Sequence, residues 1–435
     1  MTKNLAIERA RYAFSLVLVS LGTAAFAMVF RSLLALWYRA VFNATDVVDA
    51  ITNLPWWLRL CVPAAGGAAA GVISRFRATR QGVSNVMEAV VLGNVQLSLR
   101  TTMSRVASSW TAIAGGMSIG REGPLIEVGG TLGAAVGRIM NTPHERTRVL
   151  IASGTAAGFA AAYNTPFAAV LFVLETIVGV AAPAALTATI ASTVFATALT
   201  RIVVGAGPIY GQRAFEFQSS WDLLPFGVLA VLAAGAGYGF KRTLASMENW
   251  VERHPIPQPL RATLGGLFVG AVAIWLPAVA GNGYEPLNVL LDQQLAVAAV
   301  AVLLFAKVFA TSASVASGVP GGVFTPMLLV GAALGTLWAA VMSSIGAAPG
   351  ISGGSYALVG MAAAIAASIH APLTAAVLVF ELSGDYGIVL PLLLATCVSM
   401  TVSRLLRSRS VYEAELRRKG LRWELTLEGR QFAGK

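Results

Sequence analysis

The sequence predicts an all-α polytopic membrane protein with broken and half-spanning helices, and three observations predict it. Of its 435 residues, 56% are hydrophobic and 12% charged, with a mean hydropathy of +0.72; soluble domains are about half apolar and a quarter charged. Apolar runs recur along nearly the whole chain without the alternation of a membrane barrel. A backbone in hydrocarbon must satisfy its own hydrogen bonds, which leaves helices. Finally, the 44 glycines and 18 prolines fall inside those runs as well as between them, and interrupted helices persist in a bilayer only where protein or a cavity covers them.

The runs cover 13–41, 57–74, 106–119, 147–174, 183–200, 223–239, 263–280, 294–316, 322–346, 356–369 and 387–403. Several fall short of the roughly 20 residues that cross about 30 Å of hydrocarbon, so some are half-helices or strongly tilted. Residues 1–12 read as an N-terminal segment carrying Lys3, Arg9 and Arg11, and 13–403 as the transmembrane domain. Residues 404–435 form a tail with nine basic against four acidic side chains. Cationic loops stay on the cytoplasmic side, so both ends are expected there, in a bacterial inner membrane. The same asymmetry assigns the net charge of +11 to a solvated face rather than to nucleic acid.

No cleavable leader is expected, because the first apolar run is long and lacks a small-residue cleavage site. Cys61 and Cys397 are expected to be packing residues, and two isolated cysteines make neither a disulfide framework nor a metal site. No Walker loop, HExxH or redox motif is present, so no enzyme activity, cofactor or metal is expected.

Self-comparison divides the transmembrane domain into halves at about 57–205 and 223–403. GMSIGREGPLIEVGGTLG (116–133) matches GVPGGVFTPMLLVGAALG (318–335) at seven of eighteen positions, among them Gly120 with Gly322 and Pro124 with Pro326. Further on, 154–175 matches 360–381, pairing Gly154 with Gly360, Pro166 with Pro372, Val173 with Val379 and Glu175 with Glu381. Paired Gly/Pro-interrupted segments in corresponding places of two halves point to a transport site near the bilayer midplane.

GREGP and GVFTP read as helix starts inside the membrane. Glycine permits the turn, and proline at a first helical position gives up only an N–H that is unpaired anyway. The remaining amide donors and the positive end of the helix dipole suit an anion. Such a neutral-backbone cradle binds a halide weakly enough to release it. Glu122, an acid at membrane depth, is by default functional. Its carboxylate can occupy an anion site in place of the anion, and once protonated it loses that attraction and swings out; burial works against its charge and the helix-end amides work for it. The plainer reading is a structural Arg121–Glu122 pair closing a helix junction. Arg31, Lys307 and Glu127 lie in or beside apolar runs and are expected to snorkel or to form buried pairs. His144 and His254 are placed in polar loops.

GREGP (120–124), SGVPG with GVFTP (317–326), YNTPFAAVLFVLE, HAPLTAAVLVFEL and SVYEAEL (410–416) resemble, in this order, motifs of the CLC chloride channel and transporter family. The resemblance covers about residues 60 to 416. It implies two inverted-topology helical repeats and a homodimer with one pore per subunit. Glu122 is similar to the external gating glutamate. Gly120, Arg121, Gly123, Val323, Phe324 and Thr325 resemble the chloride-binding positions, and Tyr412 the inner coordinating phenol, whose plainer reading is an interfacial aromatic anchor. The family's chloride-binding serine element is replaced by RQGVSN (80–85), leaving Gln81 or Ser84 as the candidate inner ligand. Where many proton-coupled members carry two consecutive acids, this chain has Glu175-Thr176, so the proton-path position is Thr176. Glu175 and Glu381 are expected to be structural.

The resulting expectation is chloride transport gated by Glu122, channel-like because Thr176 does not titrate. The alternatives are a coupled chloride/proton antiporter, a fluoride exporter of the same family, and an intramembrane serine protease built on Ser352 or Ser355 with His370, which needs those side chains within hydrogen-bond reach.

Overall fold

The computed structural model describes all residues except 1, 78–81, 94–96, 180–182, 211–219, 293–294, 348–350, 427–428 and 435. The chain opens with α1 (Thr2–Phe42), one continuous helix of 41 residues, and α2 (Val47–Asn53), whose first amides donate to Asp46. A first unit of seven helices follows: α3 (Trp56–Arg77), α4 (Val83–Leu92), α5 (Leu99–Ala114), α6 (Glu122–Ile139), α7 (His144–Tyr163), α8 (Pro166–Phe172) and α9 (Pro183–Val204). Helix α8 continues into a π-helical turn, Val173–Val178. After α10 (Leu223–Arg253) comes a second unit: α11 (Gln258–Trp275), α12 (Tyr284–Leu291), α13 (Val297–Ala316), α14 (Phe324–Ser344), α15 (Gly353–Ile369), α16 (Pro372–Ser383) and α17 (Val389–Leu405). A short helix α18 (Val411–Arg418) and a hairpin of β1 (Arg422–Thr426) with β2 (Gly429–Gly434) end the chain.

The two units correspond helix by helix and carry the sequence repeat. α6 and α14 begin at GREGP and GVFTP, and α8 and α16 begin at Pro166 and Pro372, each at a first helical position where proline's fixed φ is already helical. The repeats are inverted. Gly120 and Gly322 form an antiparallel bridge, with Gly120 N–H donating to Gly322 C=O at 2.7 Å and Gly322 N–H to Gly120 C=O at 2.8 Å. A reciprocal pair of this kind places a local twofold axis between the halves.

Among the described residues, six helices are long and apolar enough to span a membrane, α14 among them, while α4, α8 and α16 are shorter. The short ones survive because their neighbours bury them, as helix breaks at depth require. Apolar run 106–119 is split between α5 and the break before α6, since Gly115 and Gly116 stop the helix.

Three expectations are corrected. Cys61 and Cys397 are exposed on α3 and α17: spanning helices turn part of their apolar surface to lipid, so an apolar neighbourhood in sequence does not imply a protein core. His370 ends α15 in the left-handed conformation, φ 59°, whereas Ser352 accepts from Ser355 N–H at the helix's opposite end. Seventeen helical residues separate the two ends, about 25 Å at 1.5 Å per residue, so no serine–histidine dyad forms there. His144 is the first residue of α7 and not a loop residue, whereas His254 lies in the polar loop after α10, with Nδ1 2.8 Å from Trp250 C=O.

Close helix crossings hold the scaffold. A methyl group on Gly129 would stand 2.0 Å from Gly154 C=O where α6 crosses α7, and one on Gly331 would stand 2.3 Å from Gly360 C=O where α14 crosses α15. Small residues let backbones approach when lipid supplies no hydrophobic drive between helices. The Gly129→Ala variant is therefore expected to lose about 1–3 kcal/mol by overpacking. Gly235→Ala, whose Cβ meets nothing within 4 Å, is expected to be neutral or slightly stabilising. Thermal unfolding in detergent compares the two.

Candidate functional site

The break before α6 and the break before α14 meet at the Gly120–Gly322 bridge, so the first turns of the two helices face each other. Glu122, the first residue of α6, is 2% exposed. Its Oε1 accepts from Phe324 N–H at 2.9 Å and from Thr325 N–H at 3.3 Å, and its Oε2 accepts from Thr325 Oγ1 at 3.1 Å. A carboxylate of one repeat is thus the anion held by the helix start of the other. The α14 amides are among the donors left unpaired at any helix start, and the dipole adds to their attraction. Gly123 packs flush against this junction: a Cβ there would lie 3.3 Å from Gly322 N.

An aromatic wall lines one side. Tyr163 Oη and Thr325 Oγ1 are 2.8 Å apart. Phe324 packs edge-on against Phe159 at 5.5 Å and Phe172 at 6.5 Å, and Phe172 in turn meets Tyr412 edge-on at 6.2 Å. Tyr412, from α18, is 8% exposed: it is an interior residue at the foot of the wall rather than an interfacial anchor. The chain's end therefore reaches back to within two rings of the crossing.

On the far side of Glu122, Arg121 caps α6 and its guanidinium lies 5.5 Å from the Tyr284 ring centre. It lines a cavity of about 270 Å³ with Arg31, Tyr38, Asp46 and Glu285. Arg121 does not pair with Glu122, whose oxygens are taken by α14; the simple ion-pair reading of GREGP is corrected on that ground. Arg31 lines the same cavity, and its buried Nη1 lacks a hydrogen-bond partner. Lys307 is fully buried and donates to Val279 C=O at 3.0 Å and Gly281 C=O at 2.8 Å. Glu127 forms a buried pair with Arg105 at 3.0 Å.

The candidate inner ligands separate. Gln81 lies outside the described residues. Ser84 is fully buried in the first turn of α4, and its hydroxyl donates to Glu415 Oε1 at 2.7 Å. Thr176, 1% exposed on the π-helical turn, has a buried Oγ1 with no hydrogen-bond partner.

The neighbouring acids cap helices across the repeat boundary. Glu175 accepts from Leu373 N–H at 3.1 Å, Thr374 N–H at 2.7 Å and Thr374 Oγ1 at 2.6 Å at the start of α16. Glu381 accepts from Phe167 N–H at 3.1 Å and Ala168 N–H at 2.8 Å at the start of α8. The arrangement repeats the twofold relation of the glycine bridge.

Sequence reasoning missed Tyr163, Phe159 and Phe172, although YNTPFAAVLFVLE holds Tyr163 and Phe172. It also missed Glu415, although SVYEAEL holds it. Removing the Glu381 carboxylate in a Glu381→Ala variant strands two helix-start amides. A hydrogen bond to a charged group is worth about 1.5–3 kcal/mol, so a comparable loss of stability is expected from thermal unfolding in detergent, with Glu381→Gln retaining part of it.

A protein-family model described as "Voltage gated chloride channel" matches residues 65–404. Over 408 residues, covering 92% of this chain and 94% of the other, the sequence is 40% identical to a ClcB-like protein of Ralstonia nicotianae. It is 32% identical, over 91% of this chain and 95% of the other, to a protein named voltage-gated ClC-type chloride channel ClcB from Citrobacter koseri. Among solved structures, a slow cyanobacterial Cl⁻/H⁺ antiporter superposes with a TM-score of 0.85 at 24% identity, over 94% of this chain and 98% of that one. A CLC-type fluoride/proton antiporter superposes at 0.77 with 19% identity, over 93% and 98%. At these identities the superpositions show the fold alone.

Proposed function

We propose, from the premise that this chain belongs to the voltage-gated chloride channel family, that it carries chloride across a membrane through a pore closed by the Glu122 carboxylate. The observation that carries the reading is the hold of Phe324 and Thr325 on Glu122. Those donors offer a halide the same contacts they give the carboxylate, without a full positive charge at contact distance, which suits binding weak enough for conduction. Protonation removes the charge of Glu122 and with it most of the attraction to α14. The side chain then leaves, and the amides around Gly120–Gly123 and Val323–Thr325 take the anion.

Arg121 and Arg31 sit in the cavity beyond the gate together with Asp46 and Glu285, and in this reading the two guanidiniums attract the anion without occupying the site. On the other side Tyr412 contributes its phenol below Phe172. The family's homodimer, with one pore per subunit, and an inner-membrane location with both ends cytoplasmic belong to the same proposal. So does the absence of any catalytic, metal or nucleic-acid role.

Transport is channel-like in this reading, because Thr176 stands where a second proton carrier would be needed and a hydroxyl does not titrate in the ordinary pH range. Coupled chloride/proton exchange is the alternative. Its support is the protonatable gate itself and the antiporter that shares this fold. In liposomes the purified protein is expected to pass chloride with a rate that rises toward acid pH. Glu122→Gln is expected to abolish that dependence, and retained pH gating in the variant would show that this carboxylate is not the gate. A chloride gradient is expected to leave external pH unchanged; uphill proton movement would establish the exchanger instead. Competition by fluoride that outpaces chloride would point to fluoride export.

A further inference from the structure

We propose that Glu415 is a second, inner carboxylate that competes with chloride for the Ser84 hydroxyl at the start of α4. The proposal rests on the pore reading above and gives a role to a residue of SVYEAEL to which that reading assigns none.

Ser84 is fully buried and has one hydroxyl proton to give. That proton goes to Glu415 Oε1 at 2.7 Å, while Lys419 Nζ donates to the same hydroxyl oxygen at 2.7 Å. Lys419 also donates to Asn85 Oδ1. The lysine thus fixes the hydroxyl so that its proton points at the carboxylate. A halide that uses Ser84 needs the same proton and must displace Glu415 first.

The surroundings are built for a carboxylate. Helix α18 packs on α4. A Cβ on Gly82, the residue capping α4, would lie 3.3 Å from Glu415 Oε1 and 3.8 Å from Arg105 Nη2, so both groups sit on one turn. Arg105 of α5 pairs with Glu127 of α6. The cations beside Glu415 are Arg105, which shares the Gly82 turn with it and pairs with Glu127, and Lys419, which shares the Ser84 hydroxyl with it. Tyr412, three residues before Glu415 on α18, meets Phe172 edge-on at 6.2 Å. Each carboxylate accepts from a hydroxyl in the opening turn of a helix, Glu122 from Thr325 and Glu415 from Ser84.

Chloride titration calorimetry on the detergent-solubilised full-length protein tests this with five variants: Glu415→Ala, Glu415→Gln, Ser84→Ala, Glu415→Ala with Ser84→Ala, and Glu122→Ala. Removing the competitor in Glu415→Ala is expected to tighten chloride binding by about tenfold, equivalent to about 1.4 kcal/mol. Ser84→Ala in the same chain is expected to erase the gain. Glu415→Gln keeps the shape and removes the charge, so it is expected to tighten binding in the same direction and serves if the alanine variant does not fold. Unchanged affinity in both Glu415 variants, or a gain that survives Ser84→Ala, overturns the proposal. If Glu122→Ala alters chloride binding while the Glu415 variants do not, the pore reading stands and this inference falls. Absence of chloride binding in every variant, the parent protein included, overturns both.

Discussion

The constraint on which the structure depends is that a backbone amide inside a bilayer must be given a partner. Every helix break in this chain creates unpaired donors at depth, and each unpaired buried group costs several kcal/mol. The chain meets that cost by symmetry. Gly120 and Gly322 satisfy each other, and Glu175 and Glu381 each satisfy the helix start of the opposite repeat. The amides that open α14 are met by Glu122, a side chain able to let go. In the proposed pore, function resides in the one capping carboxylate of the set that stands where the helix starts of the two repeats converge.

The same logic separates acids that are alike in sequence. Glu122, Glu175 and Glu381 all lie in apolar stretches and all accept from the first amides of another helix. Glu175 and Glu381 are half-buried at the ends of short helices, where their caps secure α16 and α8 to their neighbours. Glu122 stands where two helix starts converge beside an aromatic wall and a cavity carrying Arg121 and Arg31. A carboxylate in the first place keeps helices together; in the second it occupies the path an anion would take.

Burial of cations follows a parallel pattern. Arg105 on α5 and Lys307 on α13 fall at the same offset that relates GREGP to GVFTP. Arg105 pairs with Glu127, whereas Lys307 caps two carbonyls of the turn before α12. The repeat has kept a buried cation in each half while its partners have diverged, so corresponding positions in an inverted repeat need not share a role. The opening turns of α4 and α12 diverge likewise, with Ser84 in one and Glu285 in the other.

Composition determined that the chain is membrane-embedded, and the missing alternation of a barrel that it is helical, since helices and closed barrels alone satisfy a backbone in lipid. Glycine and proline spacing determined where the helices break, and self-similarity determined that the breaks at 120 and 322 correspond. These are local or periodic signals, written in neighbouring residues. The exposure of Cys61 and Cys397, the separation of Ser352 from His370 along α15, and the independence of Arg121 from Glu122 were decided only by tertiary packing. So was the contact of Ser84 with Glu415, 331 residues apart, and of Tyr163 with Thr325, 162 residues apart. No short-range pattern encodes which hydroxyl a distant side chain will reach; that follows from the inverted stacking of the two halves, which brings together helix starts that the chain itself keeps far apart.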